Sequence, residues 1–176
     1  IESNLMSAQL PEIIASIAES KLGLKESPSG SNRGPEIQEF FDADSYDPNG
    51  NKPGDDGYPW CAAFVCRIVQ LAMEEGGGSY TFKRPTTPGA WDFERWSLEQ
   101  DRSTWTKRNP GRDIARGDLI IYKFSHIGIS LGTPDGSNHF PTVEGNTNVA
   151  GSREGTAVLK KSRHVSEVKT RIRFTV

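Results

Sequence analysis

One cysteine stands where the sequence changes from turn residues to a long apolar helix. Cys61 lies in the segment GYPWCAAFVCRIVQLAMEEGGG, directly after a Gly-Tyr-Pro-Trp sequence. The positive dipole and the unpaired N–H groups at the start of a helix stabilise a thiolate, which is the nucleophilic form of cysteine. The position of this residue therefore predicts a covalent catalyst.

A base for that thiol is predicted in the segment HIGISLG, which has the alternation of a strand. The alternation places His126, Gly128 and Ser130 on one face and the bulky aliphatic residues on the other. Small residues on the histidine face would let a helix approach closely. We therefore expect the imidazole and the Cys61 thiol to meet on that face.

The following strand supplies an orienting group in the segment VEGN. Glu144 and Asn146 are two residues apart, so the alternation predicts that both side chains point toward His126. A carboxylate or amide there would hold the second imidazole nitrogen. The order Cys61, His126, Glu144 then follows the logic of a nucleophile, its base and the group that orients the base.

Each of these residues also has an ordinary interpretation. A cysteine in an apolar helix is most often a core residue, a strand histidine can cap a hairpin, and EGN can form a turn. Cys66 is interpreted as inert core. The two cysteines are five residues apart on one helix and point about 140° away from each other, so both should be free thiols.

The elements that must position these groups fall in two parts of the chain. Helical patterns cover residues 10–23, a short stretch from Pro35, residues 60–75 and residues 87–100, whereas β-rich runs begin after Gly117. These runs are DLIIYKF, HIGISLG, FPTVEGN, GTAVLKK and KTRIRFTV. Helices followed by a meander predict one α+β domain over residues 1–176, with a central helix packed on an antiparallel sheet of about five strands.

The composition agrees with one globular enzyme domain. The chain has 176 residues, 34% hydrophobic and 25% charged, and this length can bury roughly 70% of the unfolded surface without a metal or disulfide. A net charge of -2 argues against nucleic acid as a partner. No apolar run approaches the roughly 20 residues that span a bilayer, and the first residues have no secretory-signal pattern.

An acidic loop between residues 42 and 57, DADSYDPNGNKPGDDG, contains enough carboxylates and amides to suggest a calcium site. The EF-hand pattern fails, because Lys52 takes the glycine position and no glutamate follows at position twelve. A solvated, turn-rich connector is therefore favoured, and no cofactor is expected to be required. Asp42, Asp44 and Asp47 remain the candidate ligands of the alternative, a calcium site.

The segments PWCAAFV, RGDLIIY, HIGI and VEGNTN together resemble the CHAP family, the cysteine, histidine-dependent amidohydrolases and peptidases of the papain-like NlpC superfamily. The resemblance runs from SPSGSNRGPEI to GSREGTAVLKK and implies a papain-like fold. It also implies that Cys61 is the nucleophile, that His126 is the base, and that Glu144 and Asn146 complete the site.

The family resemblance implies hydrolysis of an amide in bacterial peptidoglycan. The bond would be either the N-acetylmuramoyl-L-alanine linkage or one within or between stem peptides, and the resemblance does not choose between them. A transglutaminase or acyltransferase that uses the same residues is the alternative. A wall-binding module without activity is disfavoured by the intact set of Cys, His and Glu.

Further candidates surround the nucleophile. The Cys61 backbone N–H and the Tyr58 hydroxyl are candidate oxyanion donors, and Asn32, Arg33 and Trp60 are candidate substrate contacts. We expect a monomer that acts in the bacterial periplasm or cell wall, as an antibacterial toxin, a phage lysin domain or part of an autolysin. A toxin would have a cognate immunity protein as a partner.

Overall fold

Helices precede strands along the chain. The computed structural model describes residues 9–44, 56–147 and 155–176. Within these ranges the helices are α1 (Leu10–Ser20), α2 (Pro35–Asp44), α3 (Cys61–Glu75) and α4 (Asp92–Glu99). The strands are β1 (Thr104–Arg108), β2 (Leu119–Tyr122), β3 (Ile127–Ser130), β4 (His139–Thr147), β5 (Ala157–His164) and β6 (Val168–Phe174). The predicted α+β class is confirmed.

The strands form one antiparallel sheet with the order β1-β6-β2-β3-β4-β5. Strands β2 to β5 follow one another as the predicted meander, but β6 returns to lie between β1 and β2. The described part of the chain thus has six strands, where about five were expected. The additional strand, β1, lies at the edge of the sheet and has no fully buried residue, so its sequence lacks the alternation on which the prediction depended.

Helix α3 lies in the core, as its nearly all-apolar sequence predicts. Its residues from Cys61 to Cys66 are all buried, and only a strip near Arg67, Gln70 and Glu74 reaches solvent. The main hydrophobic cluster joins α3 to one face of the sheet, which includes Ile127 and Ile129. The helices therefore pack on the isoleucine face of β3.

This packing contradicts the expectation that a helix approaches the face of His126, Gly128 and Ser130. A Cβ atom at Gly128 would lie 2.7 Å from Cγ of Glu144, so this glycine makes room for a carboxylate and not for a helix. The close approach of α3 occurs instead at Gly145, where a Cβ would lie 2.8 Å from Cβ of Phe64. The alternation identified two faces but did not identify which face the helices cover.

Both faces of the sheet centre are buried. A smaller cluster on the face opposite α3 contains Ile114, Ile120, Tyr122, Phe140 and Val168. Among the described residues, no helix is long and apolar enough to cross a membrane. Residues 1–8, which bear on the expected absence of a signal segment, lie outside the described residues. Asp47 and most of the acidic loop also lie outside them.

Candidate active site

The candidate nucleophile is the first residue of α3, as its sequence position predicts. Cys61 is 5% exposed, and the side chain of the preceding Trp60 makes no capping hydrogen bond to the helix. The first N–H groups of a helix have no partner within the helix. The thiol therefore lies beside backbone donors that the Trp60 side chain does not occupy.

The imidazole of His126 lies directly before β3 and is fully buried. Its Nε2 is 2.8 Å from Oε1 of Glu144. Its Nδ1 makes no hydrogen bond of regular geometry to any described residue. Nδ1 is therefore the nitrogen left to exchange a proton with the Cys61 thiol.

The charge state of His126 depends on the residues on both sides of it. Burial lowers its pKa, but the interactions with Cys61 and Glu144 outweigh burial and raise the pKa to about 9. A histidine with this pKa is an imidazolium at neutral pH. The structure thus brings Cys61, His126 and Glu144 close enough together for each neighbour to shift the pKa of His126.

The carboxylate of Glu144 is fully buried and receives several hydrogen bonds besides that of His126. The Tyr122 hydroxyl and the Thr142 hydroxyl donate to Oε2 at 2.7 and 2.6 Å, and Nε of Arg163 donates to the same oxygen at 2.8 Å. Burial alone would raise the pKa of Glu144, but the hydrogen bonds from Arg163 and His126 lower it well below the usual range. Glu144 is therefore held as a carboxylate.

The rings of Tyr122, Phe124 and His126 lie nearly parallel to one another. The ring of His126 is 5.7 Å from that of Tyr122 and 5.8 Å from that of Phe124, with interplanar angles of 17° and 11°. Sequence reasoning missed Tyr122, Phe124, Thr142 and Arg163. The signal available for the first two was their spacing, since Tyr122, Phe124 and His126 are two residues apart in succession.

Asn146 is buried at the end of β4, but not by the alternation that predicted its direction. The pairing of β4 with β5 shifts register between Glu144 and Thr147, and Asn146 has a positive φ of 53°. A bulge with a left-handed residue breaks the two-residue repeat. The shared face of Glu144 and Asn146 is thus not a valid inference here, and the catalytic role of Asn146 stays a prediction.

The candidate substrate contacts are divided between surface and core. Trp60 is fully buried and its Nε1 donates to Oε1 of Glu26 at 2.9 Å, so its position does not support a role in binding substrate. Arg33 pairs with Asp56 at 3.3 Å, and the Asn32 carbonyl accepts from the Gly57 N–H at 3.1 Å. These bonds fasten the loop before α2 to the segment that leads into α3.

Tyr58 is 61% exposed, three residues before the thiol. Its role as an oxyanion donor stays a prediction. The same holds for the Cys61 backbone N–H, which lies at the start of α3. Cys66 is fully buried, its Sγ lies 3.4 Å from the Thr87 carbonyl, and burial raises its pKa to about 12, which agrees with an inert thiol.

The calcium candidates lie at the end of α2. Asp42 accepts a hydrogen bond from Gln38 at 2.9 Å, and Asp44 is 8% exposed. Asp47, the third candidate, lies outside the described residues. No cluster of three or more His, Cys, Asp or Glu side chains placed to hold a metal occurs in residues 9–44, 56–147 and 155–176.

Fold and site together define an α+β protein with a buried Cys, His and Glu arrangement. No protein-family model matches the chain. No curated protein matches it either. Among solved structures, the chain is similar to the crystal structure of a wild type endolysin, LysIME-EF1, with a TM-score of 0.53 and 15% sequence identity. The match covers 94% of this chain and 64% of the endolysin chain, so this chain spans less than two thirds of that protein. At this identity the similarity establishes the fold.

Proposed function

We propose that this chain is a peptidoglycan hydrolase that cleaves an amide bond through Cys61 and an acyl-enzyme. The observation that carries the proposal is the buried His126, held by the Glu144 carboxylate on one nitrogen and facing the start of α3 with the other. Similarity of fold to an endolysin supports cell-wall peptidoglycan as the substrate class. Its site of action would be the bacterial cell wall or periplasm.

The first half of the reaction forms the acyl-enzyme. The Cys61 thiolate attacks the amide carbonyl carbon, and the oxyanion accepts a hydrogen bond from the Cys61 backbone N–H. Nδ1 of the His126 imidazolium then gives its proton to the leaving nitrogen, and the C–N bond breaks. The product is a thioester on Cys61 and a free amine.

Water completes the reaction in the second half. Neutral His126 takes a proton from the attacking water, the hydroxide adds to the thioester carbonyl, and the C–S bond breaks to release a carboxylic acid, which gives its proton to solvent, and the Cys61 thiolate beside the His126 imidazolium. Glu144 stays ionised in both halves and stabilises the imidazolium each time it forms. The bond is either the N-acetylmuramoyl-L-alanine linkage or an amide of the stem peptide.

The test uses purified peptidoglycan and the Cys61→Ala variant, with Cys66→Ala as the matched control. Released fragments are identified by mass spectrometry, and new amino termini are counted by chemical labelling. We expect the unmodified chain and Cys66→Ala to release the same fragments, and Cys61→Ala to lose at least ~1,000-fold of the rate. Equal digestion by Cys61→Ala, or no digestion by the unmodified chain, would overturn the proposal.

The identity of the fragments decides between the two bonds. Glycan strands that carry free lactyl groups, together with stem peptides that begin with alanine, would identify an amidase. Fragments with a new amino terminus inside the stem peptide would identify a peptidase. Products joined to an added primary amine, with no hydrolysis, would instead identify an acyltransferase.

A further inference from the structure

Arg163 on β5 contacts the carboxylate that holds the histidine. The arginine is 6% exposed. Its Nε donates to Oε2 of Glu144 and its Nη2 donates to Oε1, so the guanidinium binds both oxygens of one carboxylate. Oε1 is also the oxygen that contacts Nε2 of His126. A bidentate pair of this kind fixes the plane and the direction of a carboxylate, which a single hydrogen bond does not.

The same guanidinium lies over the aromatic rings beside His126. Its central carbon is 4.8 Å from the ring centre of Tyr122 and 5.3 Å from that of Phe124. These two rings are nearly parallel to the imidazole. Arg163 therefore contacts both the carboxylate that is hydrogen-bonded to the imidazole and the rings that lie parallel to the imidazole.

We infer that Arg163 is a positioning residue for the reaction: it fixes the Glu144 carboxylate and the adjacent rings so that His126 presents Nδ1 to the Cys61 thiol. This inference rests on the proposed function only in taking Cys61 as the reacting thiol. Arginine suits the role because its rigid fork matches a carboxylate and its flat face stacks on aromatic rings.

Among the described cations near Glu144, Arg163 binds both carboxylate oxygens. Tyr122 donates as a neutral phenol, because burial and the nearby carboxylate raise its pKa well above the usual range. Lys161 on β5 also interacts with the carboxylate, although burial lowers its pKa. Glu167 lies 3.5 Å from Nη1 of Arg163 and shares its charge. Cys61, at the start of α3, interacts with His126, which in turn is hydrogen-bonded to Glu144.

Removal of the guanidinium should change the reactivity of Cys61, because Arg163 binds Glu144, Glu144 binds His126, and His126 interacts with Cys61. Hydrogen bonds from Arg163 are the largest influence that lowers the pKa of Glu144. Without them the carboxylate takes up a proton at higher pH and loses its fixed direction. A protonated or misaligned Glu144 no longer stabilises the imidazolium, so Cys61 should react more slowly at a given pH.

The experiment follows alkylation of the intact chain by iodoacetamide across a pH series, with the modified cysteine identified by mass spectrometry. In Arg163→Gln we expect the low-pH limb of Cys61 alkylation to move up by about one pH unit, which is a tenfold slower reaction at a pH on that limb. Arg163→Lys keeps the charge without the fork and should recover part of the shift. Arg173→Gln, which removes an arginine from another buried carboxylate of the same sheet, should leave the profile unchanged.

A double-mutant cycle separates action through Glu144 from a general loss of packing. Once Glu144→Gln has removed the carboxylate, a second change of Arg163→Gln should add no further shift of the alkylation profile. Thermal denaturation establishes that each variant is folded, and Arg163→Lys carries the test where Arg163→Gln does not fold. An unshifted profile in a folded Arg163 variant, or additive shifts in the double variant, would overturn the inference.

The alkylation readout requires no peptidoglycan. Failure of the unmodified chain to digest cell wall would overturn the proposed function and leave the effect of Arg163 on the Cys61 thiol intact. Normal digestion by a folded Arg163→Gln variant with an unshifted profile would overturn the role of Arg163 and leave the proposed function intact.

Discussion

Two buried carboxylates of the sheet each bind a forked arginine, yet their surroundings differ. Asp118, directly before β2, accepts from Nε and Nη2 of Arg173 at 2.9 and 2.8 Å and from the Ala115 N–H at 2.8 Å. Glu144 accepts from Arg163 in the same way, but two hydroxyl groups and the His126 imidazole bind it as well.

The pKa values of these two carboxylates move in opposite directions. Burial raises the pKa of Asp118 and outweighs the hydrogen bonds from Arg173, whereas the partners of Glu144 outweigh its burial and lower its pKa. An ion pair with arginine therefore does not by itself fix the direction in which the pKa of a buried carboxylate moves. The difference is that Glu144 extends its network to an imidazole beside a thiol, while Asp118 connects backbone and arginine within the sheet.

The largest expected effect comes from neutralising each carboxylate in turn. We expect Glu144→Gln to lower the rate of peptidoglycan cleavage by about 100-fold or more, because His126 loses the charge that stabilises its protonated form. Asp118→Asn should leave the rate per folded molecule unchanged and lower the free energy of unfolding by about 1–3 kcal/mol, since it weakens the hydrogen bonds that Asp118 accepts from Arg173 and from the Ala115 N–H. Rates normalised to folded protein and chemical denaturation measure the two effects. Equal losses of rate in both variants would remove the distinction between the two carboxylates.

Gly128 and Gly132 differ in what lies next to them. A Cβ at Gly128 would lie 2.7 Å from Cγ of Glu144 and 3.2 Å from the Tyr122 hydroxyl oxygen, whereas a Cβ at Gly132 meets only Pro141 at an ordinary 3.6 Å. We therefore expect Gly128→Ala to displace the carboxylate and to slow cleavage by about 10- to 100-fold, because small misplacements of catalytic groups are costly. Gly132→Ala should cleave at the normal rate. Unimpaired cleavage by a folded Gly128→Ala variant would mean that Glu144 tolerates displacement.

The sequence predicted the local features of this site better than its surroundings. The start of α3 at Cys61 and the strand nature of the segments at His126 and Glu144 follow from composition and periodicity over a few residues. Arg163 was missed because the pairing of β5 with β4 brings it to Glu144, and a local sequence pattern does not predict which strands pair. Strand β1 was missed for a related reason, since it is ordered by β6 at the far end of the chain.

The error about the face of β3 has a physical cause as well. Alternation separates two faces, and the face with small residues was assumed to meet the helix. In this sheet both faces are covered, so Ile127 and Ile129 meet α3 while Gly128 makes room for the polar network of Glu144. A glycine in a strand indicates that something approaches closely, without indicating whether it is a helix or a side chain.

Peptidoglycan cleavage should lose its activity at high pH. Because Cys61 and Glu144 raise the pKa of His126 to about 9, the imidazolium needed to protonate the leaving amine is lost as the pH rises through this value. Cleavage should therefore fall above about pH 9. Glu144→Gln should move this fall to lower pH by about one unit, and Asp118→Asn should leave it in place. A pH profile of kcat/KM provides the measurement, and an alkaline limb unchanged by Glu144→Gln would argue against control of His126 by Glu144.

The smallest expected effect is on the pH dependence of stability, where the two carboxylates should act in opposite directions. The folded pKa of Glu144 lies below its ordinary value of 4.5, so the stability it contributes is present above that pH and is lost as the pH falls through the folded pKa. The folded pKa of Asp118 lies above its ordinary value of 3.8, so its ionisation lowers stability as the pH rises. Glu144→Gln should therefore flatten the rise of unfolding free energy with pH in the acidic range, and Asp118→Asn should steepen it. Chemical denaturation at several values between about pH 3 and 7 measures both slopes, each change amounting to at most about one proton. Slopes that change in the same direction would mean that the two sites respond alike to burial, and that the hydrogen bonds to Glu144 do not offset its burial.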